Sequence, residues 1–299
     1  MDEFLIKVAL VTPVFNRCET TLQALRSLRR IDSTGLTVKI FIVDDGSTDG
    51  TADAINTQFP EVELISGDGS LHYAAGTNRG IERALEWNAD YVVTMNDDAI
   101  FHENFLQSLV TTAQAFHKSI VGSLLLLWDE PLRVFQVAPI WSTFGGGWIF
   151  PENLTAKSIS QEAFDVDCIV GNCVLFPVDA IREVGLMDEK RFPHGWGDAQ
   201  YMTRMKKGGW RLLVDPKSLV WCEPNTYPRP LHSHTKREIL TILFVDVRHP
   251  LNLKRQFVAR WYSAPSRPKA VLSFVSYVAS LVRKSIAFRS KWTSAGIDG

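Results

Sequence analysis

Cysteine is scarce in this chain, and the four present (Cys18, Cys168, Cys173 and Cys222) show no C-x-x-C pairing. That argues against a disulfide framework, and the four read as reduced thiols of a cytosolic protein. Long apolar runs are also missing: no stretch reaches the ~20 residues that a spanning helix needs. Met1 to Lys7 contains Asp2 and Glu3, and the apolar segment Val8 to Val14 is too short for a secretory leader. No internal repeat and no low-complexity tract occurs. Two nucleotide-binding signatures are absent as well. After the first hydrophobic run the chain reads Thr12-Pro13-Val14-Phe15-Asn16-Arg17 rather than G-x-G-x-x-G, and nowhere does G-x-x-x-x-G-K-[ST] appear. These gaps exclude the dinucleotide fingerprint and the Walker-type phosphate loop.

What is present is an ordinary globular balance, 45% hydrophobic and 22% charged over 299 residues. The length suits one large α/β domain of roughly 200–250 residues with an appendage, or two modest domains. A net charge of -1 hides an asymmetry: from Arg229 onward there are 13 Lys and Arg against 3 Asp and Glu. The body is therefore acidic and the tail basic, so it is the tail whose charge needs a partner.

Buried-strand runs alternate with helical periods through the body. Ile6 to Thr12, Thr37 to Val43, Val62 to Ile65 and Tyr91 to Met95 read as strands. Cys18 to Arg30 and Gly76 to Trp87 carry apolar residues at helical spacing, and Ser47 or Thr48 can cap a helix running on from Gly50. This pace indicates βαβ units and a mostly parallel, three-layer sheet. Further on, Asn104 to His117 reads as helix and Ile120 to Trp128 as strand. Val134 to Ala138 reads as half of a hairpin completed by the next segment of chain, and Gly145 to Gly147 and Pro151 to Ala163 as loop. Asp167 to Pro177 is a strand interrupted at Gly171, with helices at Val178 to Val184 and Asp198 to Lys207. Trp210 to Val214 and Ser218 to Trp221 close the body as two short strands. Pro224, Pro228 and Pro230 mark its exit, giving a domain over 1–225 and an extension over 226–299.

Two of the strands end in paired carboxylates, Asp44-Asp45 and Asp97-Asp98. Each alone reads equally well as an acidic turn or cap. In a parallel sheet, however, both pairs reach the same edge, where ligands bind, and adjacent carboxylates call for a cation or a donor-rich ligand between them.

The spacing of four segments then resembles a known family. Val11 to Arg17, Ile42 to Thr51, Asn78-Arg79-Gly80 and Met95-Asn96-Asp97-Asp98 look like the family 2 glycosyltransferases. Gly67-Asp68-Gly69-Ser70-Leu71, Gly171-Asn172-Cys173 and Phe192 to Asp198 are similar to segments of its bacterial rhamnosyltransferase-like members. The resemblance covers roughly residues 5 to 225 and implies the GT-A fold, an α/β three-layer sheet, here with a C-terminal helical extension. It implies a nucleoside-diphosphate sugar donor, with a deoxysugar such as rhamnose as the sugar. It also implies a glycan or lipid-linked acceptor and a role in bacterial surface polysaccharide. By this likeness Pro13, Val14, Phe15 and Asp45 would hold the nucleoside, with Asp68, Asn78 and Asp97 also on the donor side. Asp98 would ligate Mn²⁺ or Mg²⁺, in keeping with the oxygen ligands such ions prefer. Asp198 would act as catalytic base in an inverting displacement. On its own residues Asp198 reads as an N-cap of the following helix, and the two roles can coexist.

The chain departs from the family pattern at three places. Asn96 stands where many members carry Asp, Gly197 precedes the base where an acid is common, and Trp221-Cys222-Glu223 replaces a His near the diphosphate. His232 or His234 is left as a substitute, or nothing. A nucleotidyltransferase is the runner-up enzyme class, with Arg17 its one phosphate-gripping side chain, and a glycan- or membrane-binding scaffold is the non-enzymatic alternative. Trp141, Trp148 and Trp196 sit in loops where a ring could stack on sugar, and His72 and Tyr73 could touch the donor or simply pack.

In the tail, Lys236 to Val247 and Val271 to Phe288 read as helices. The second carries a narrow polar stripe, Ser273, Ser276, Ser280 and Lys284, among apolar residues with basic flanks. An anionic membrane surface met by an in-plane helix at the cytoplasmic face, a homodimer seam and packing on the body all fit this pattern. Nucleic acid fits least, against an acidic body with no binding motif.

Overall fold

The computed structural model describes residues 5–193, 195–224, 229, 231–246 and 249–294, with side chains described except at 232 and 284–294. Two compact units result, one of residues 1–139 with 150–224 and one of 140–149 with 225–299.

The first unit begins with β1 (Ile6–Val14), α1 (Cys18–Leu28), β2 (Leu36–Asp44), α2 (Thr51–Gln58), β3 (Glu63–Ser66), α3 (His72–Glu86), β4 (Tyr91–Thr94) and β5 (Ala99–Phe101). It continues through α4 (Phe105–Ala115), β6 (Ser119–Leu127) and β7 (Val134–Gln136). The second unit takes the hairpin β8 (Ile140–Ser142) and β9 (Gly147–Ile149), after which the first resumes with β10 (Phe164–Asp165), β11 (Val174–Pro177), α5 (Val178–Val184), α6 (Gly197–Lys207) and β12 (Arg211–Cys222). Helices α7 (Lys236–Leu240), α8 (Leu253–Ser263) and α9 (Arg267–Ser294) belong to the second unit, with one π turn (Thr241–Val245) running on from α7.

The main sheet runs β10-β12-β6-β11-β4-β1-β2-β3, with β5 added on β12 and β7 on β6. Strands β4, β1, β2 and β3 are mutually parallel, β11 is antiparallel to both of its neighbours, and β6 and β12 are parallel to each other. Val8 to Val11 are all fully buried, as befits a parallel strand covered on both faces. Leu22, Leu25 and Leu28 of α1 and Phe105, Leu106 and Leu109 of α4 fill one side of the sheet, with Val8 and Leu10. Burying each such side chain is worth about 1.5–3 kcal/mol. On the other side α3 lies so close to β1 that a Cβ on Gly80 would stand 2.3 Å from Val11 Cγ1. Phe176 of β11 packs on Tyr201 of α6, ring centroids 5.4 Å apart, on this same side. Three layers result, as expected from the sequence.

Several elements differ from their expected form, each for a physical reason. Strand β1 passes through Pro13 because its ladder with β4 ends at Val11–Thr94, so no partner strand needs the missing N–H. Helix α2 starts at Thr51 rather than Gly50, and the side chain at its mouth is Asp49, which accepts from Thr51 N at 3.1 Å; Ser47 instead accepts from Asn16 N at 2.8 Å. Val134 to Gln136 pairs back onto β6 rather than with the segment that follows, and β8 and β9 form a separate hairpin on either side of Gly145-Gly146. The two short closing strands are one strand, β12, with an irregularity between Asp215 and Leu219. Helix α3 begins four residues early, at His72, for a reason that lies in the site.

Candidate functional site

Parallel β1, β2 and β4 carry their carboxyl ends to one edge of the sheet, and β12 brings Cys222 and Glu223 to it alongside β6. Because β11 runs the other way, its beginning rather than its end arrives there. Five segments distant in sequence thus meet: Val14 to Arg17, Asp44-Asp45, Asn96 to Asp98, Gly171 to Cys173, and Glu223.

Arg17 is the cation among the carboxylates. Its guanidinium lies 3.2 Å from Asp97, 3.3 Å from Asp98 and 3.2 Å from Glu223. Asp97 is buried and also accepts from Thr21 Oγ1 at 3.2 Å. Burial pushes its carboxyl up to about 6, against the pull of Arg17, with the charge of Asp98 adding to the rise. Asp98 is the more open of the pair, its side chain 24% exposed, and its carbonyl accepts from Glu223 N at 3.1 Å.

Asp45 is engaged differently. Oδ1 accepts from Gly69 N at 2.9 Å and Leu71 N at 3.1 Å, and Oδ2 accepts from His72 N at 3.0 Å. A carboxylate just past the end of β2 therefore satisfies the open N–H groups at the start of α3, whose local N-cap, Leu71, supplies none. This is why α3 starts at His72. The next residue, Tyr73, is thereby set facing β11, and its hydroxyl donates to Gly171 O at 3.0 Å.

Around Gly171 the parts converge. Gly171 N donates to Asp198 Oδ2 at 3.2 Å, so that the backbone of this one residue is held by Tyr73 on its carbonyl and itself holds Asp198 through its N–H. Asp198 lies in the first turn of α6, after Trp196 in a left-handed conformation at φ 63°. Burial holds the Tyr73 phenol protonated, and the charges of Asp198 and then Asp98 push the same way. Asn172 ties the neighbourhood together, accepting from Asn96 N at 2.9 Å and donating to Cys222 Sγ at 3.3 Å. The Cys222 thiol is driven upward by burial and by Asp98, and Cys173 is pushed up to about 12 by burial, so neither supplies a thiolate.

Other expected residues are placed apart from this cluster. The buried Asn78 amide donates to Met187 O at 3.0 Å and Glu189 Oε2 at 2.8 Å and accepts from Met187 N at 2.9 Å, bracing the segment before α6. Asp68 accepts from Ser70 N at 3.0 Å and Ser70 Oγ at 2.6 Å, holding its own turn; these bonds lower its pKa. Val14 is buried, while Phe15 stands 52% exposed on the edge. His194 and the side chain of His232 lie outside the described residues, and His234 Nδ1 is 3.9 Å from Glu238 in the second unit. A cavity of about 530 Å³ along α4 and Asp215 contains none of these side chains. The role of Arg17 is not legible in the sequence, because one arginine in a loop carries no sign of which carboxylates it will meet.

A model of glycosyl transferase family 2 matches residues 9–185, more than half of the chain. The protein belongs to glycosyltransferase family 2. It is 26% identical over 253 residues to the N-acetylglucosaminyl-diphospho-decaprenol L-rhamnosyltransferase of Mycobacterium tuberculosis, covering 77% of this chain and 78% of that one. It is 27% identical over 228 residues to the succinoglycan biosynthesis protein ExoA of Rhizobium meliloti, covering 74% and 63%. Among solved structures it is similar to GalNAc-T7 with UDP, GalNAc and Mn²⁺, at TM-score 0.59 and 14% identity over 86% of this chain and 52% of that one. The mannosyltransferase PcManGT from Pyrobaculum calidifontis, in complex with GDP-Man and Mn²⁺, matches at TM-score 0.54 and 16% identity over 99% and 82%. These neighbours share the GT-A fold, as expected.

Membership displaces the nucleotidyltransferase and scaffold readings: this chain is a transferase. The donor set at its acidic edge suits a hard divalent ion. Among the described residues no three His, Cys, Asp or Glu side chains form a metal-holding group. A site built from one or two carboxylates and the diphosphate of a substrate needs no such group. Asp98 is open, carries only oxygen donors, and has Glu223 beside it, with the single charge of Arg17 set against three carboxylates.

Proposed function

We propose that this transferase is inverting and metal-dependent, moving a sugar from a nucleoside-diphosphate donor to a glycan or lipid-linked acceptor. The activities for which the relatives are named support a deoxysugar such as rhamnose and a place in bacterial surface polysaccharide synthesis. Four free cysteines, three of them buried, suit a reducing, cytoplasmic location. One observation supports the mechanism: Gly171 N holds Asp198 while the adjacent Asn172 side chain holds Asn96 N of the Asn96–Asp98 segment, so Asp98 and Asp198, a hundred residues apart, are tied to neighbouring residues of one turn.

Asp98 would hold Mn²⁺ or Mg²⁺, which when bound neutralises the departing diphosphate. Asp198 takes the proton of the acceptor hydroxyl while that oxygen forms its bond to the anomeric carbon. The bond from that carbon to the diphosphate breaks with its electrons staying on phosphate, and attack from the opposite side inverts the centre. Gly171 N–H fixes one Asp198 oxygen, which leaves the carboxylate oriented without a rotamer search. Phe15, exposed on the edge, supplies an apolar face for a nucleobase. Asp45 contributes to the donor side through the loop it holds, and Asp97 by fixing Arg17. Asp68 and Asn78 would act in the same indirect way, through the turn and the segment they brace.

The test is a pair of variants read by calorimetry and turnover with a panel of nucleoside diphosphates and sugar nucleotides in Mn²⁺. Asp98→Ala should lose metal-dependent nucleotide binding, and Asp198→Asn should keep binding and lose turnover. Unchanged transfer in both variants would sink the assignment.

A further inference from the structure

Helix α9 is inside out. At 100° per residue, Val271, Leu272, Val275 and Val282 fall within one arc of about 100°. All four are exposed, at 43%, 51%, 58% and 52%. Ser273 lies on the opposite side, and Ser276 borders the arc. Ser273 is fully buried and donates to Ala270 O at 2.9 Å, and Ser276 Oγ donates to the carbonyl of Phe144 in the β8–β9 hairpin. A helix whose only solvent were water would place these residues in the opposite sense. The π turn after α7 adds Phe244 and Val245, 62% and 70% exposed, to the same unit. A contiguous apolar face of this kind marks an interaction site.

The charges say what covers it. Helix α9 contains six Lys and Arg and no Asp or Glu. Arg267 and Lys269 are exposed where the apolar arc begins, and Arg283 where it ends. The Arg267 guanidinium stacks 4.4 Å from the Trp261 ring and 5.3 Å from that of Tyr262, an arrangement suited to a water–lipid boundary. Two copies of so basic a face would repel each other. Spanning is not what the helix does: among the described residues none is long and apolar enough to cross a membrane.

We propose that the Val271–Val282 face of α9 docks in the plane of an anionic lipid bilayer, apolar arc down, with Arg267, Lys269 and Arg283 on the headgroups. This goes beyond the transferase assignment and stands or falls separately from it. Apolar burial and headgroup attraction act together in such contacts, so both must matter.

The experiment is flotation of the full chain with phosphatidylcholine vesicles containing about a quarter phosphatidylglycerol, and with phosphatidylcholine alone. Binding is expected to the first and not the second, and to weaken as salt is raised. Lys269→Ala with Arg283→Ala should weaken it roughly 30-fold. Val275→Glu should abolish it while circular dichroism and nucleotide binding stay unchanged. Light scattering at the same concentrations distinguishes a second copy as the occupant. Failure of the wild type to float, unaltered flotation of Val275→Glu, or a dimer that this variant dissolves would each overturn the proposal.

Discussion

Gly171 N–H meets Asp198 Oδ2 at 3.2 Å, and a Cβ on that glycine would stand 2.4 Å from Asp198 Cβ. Asp198, the carboxylate proposed as base, thus stands against a position where a side chain cannot be added without moving it. Gly171→Ala should displace the Asp198 carboxylate by a fraction of an ångström to an ångström. Misplacement on that scale costs about 10²-fold in turnover. Donor affinity by calorimetry should hold within a few-fold, since Gly171 touches Asp198, the proposed base, and not Asp98. A parallel loss of donor binding would show that the glycine shapes the whole edge rather than the base.

Asp45 should prove structural when tested alone. Its carboxylate accepts from three backbone N–H groups at the start of α3. Bonds to a charged acceptor in a buried place make Asp45→Ala cost roughly 2–4 kcal/mol in urea unfolding. Hydrogen exchange should quicken at Gly69, Leu71 and His72 before it changes elsewhere, and turnover should fall because Tyr73 loses its seat. Exchange that stays slow at those three amides would mean that α3 caps itself.

How much of this is legible in the sequence depends on where each interaction's two ends lie. Strands β1, β2 and β4 announce themselves through their own apolar runs, and the carboxylates come with them because a parallel sheet points them to one edge. The start of α3 does not, because its cap is Asp45, 27 residues upstream of His72. Arg17 and Glu223 are visible as residues but not as partners, their 206-residue separation having no local trace. Asn78 sits in a motif shared with the family, yet its amide is spent on Met187 and Glu189. A motif names the residues that matter without saying whether they meet the ligand or the fold. The closing strands 210–214 and 218–221 read as two because Pro216 interrupts the apolar run, whereas their pairing with β6 carries one strand across the gap.

The stability of the metal-free protein should depend on pH through Asp97. Burial raises its carboxyl from an ordinary 3.8 to about 6 in the fold. Between those values the folded state holds the extra proton, so stability should fall as pH rises from about 4 to about 6 and then level off. The full span is on the order of 2–3 kcal/mol. Urea unfolding at pH 4.5 and pH 7 should show this slope in the wild type and lose it in Asp97→Asn. Arg17→Ala should carry the slope to higher pH, since Arg17 is the chief influence holding Asp97 down. Identical slopes in the wild type and Asp97→Asn would place the titration elsewhere.

In the second unit, Arg260 is a buried cation whose hydrogen bonds run to neutral oxygens. Its Nε donates to Gly146 O at 2.8 Å, its Nη2 donates to the same carbonyl, and its Nη1 donates to Gln256 O at 2.8 Å. Tyr277 covers the guanidinium at 4.3 Å, and burial lowers the Arg260 pKa to about 10, still charged at neutral pH. A charge kept under such cover needs its acceptors, and the hairpin loop in turn needs the fork that pins Gly146. Arg260→Ala should therefore free the β8–β9 hairpin, with exchange protection lost at Gly147 and Ile149 and a stability cost of roughly 2–4 kcal/mol. Arg260→Lys, which has no planar fork, should recover only part of it. Because Asp98, Asp198 and Gly171 belong to the other unit, metal-dependent nucleotide binding should be unchanged in both variants. If protection across 140–149 were indifferent to Arg260, the hairpin would have to be held by its own β8–β9 ladder and by Ser276 on the Phe144 carbonyl.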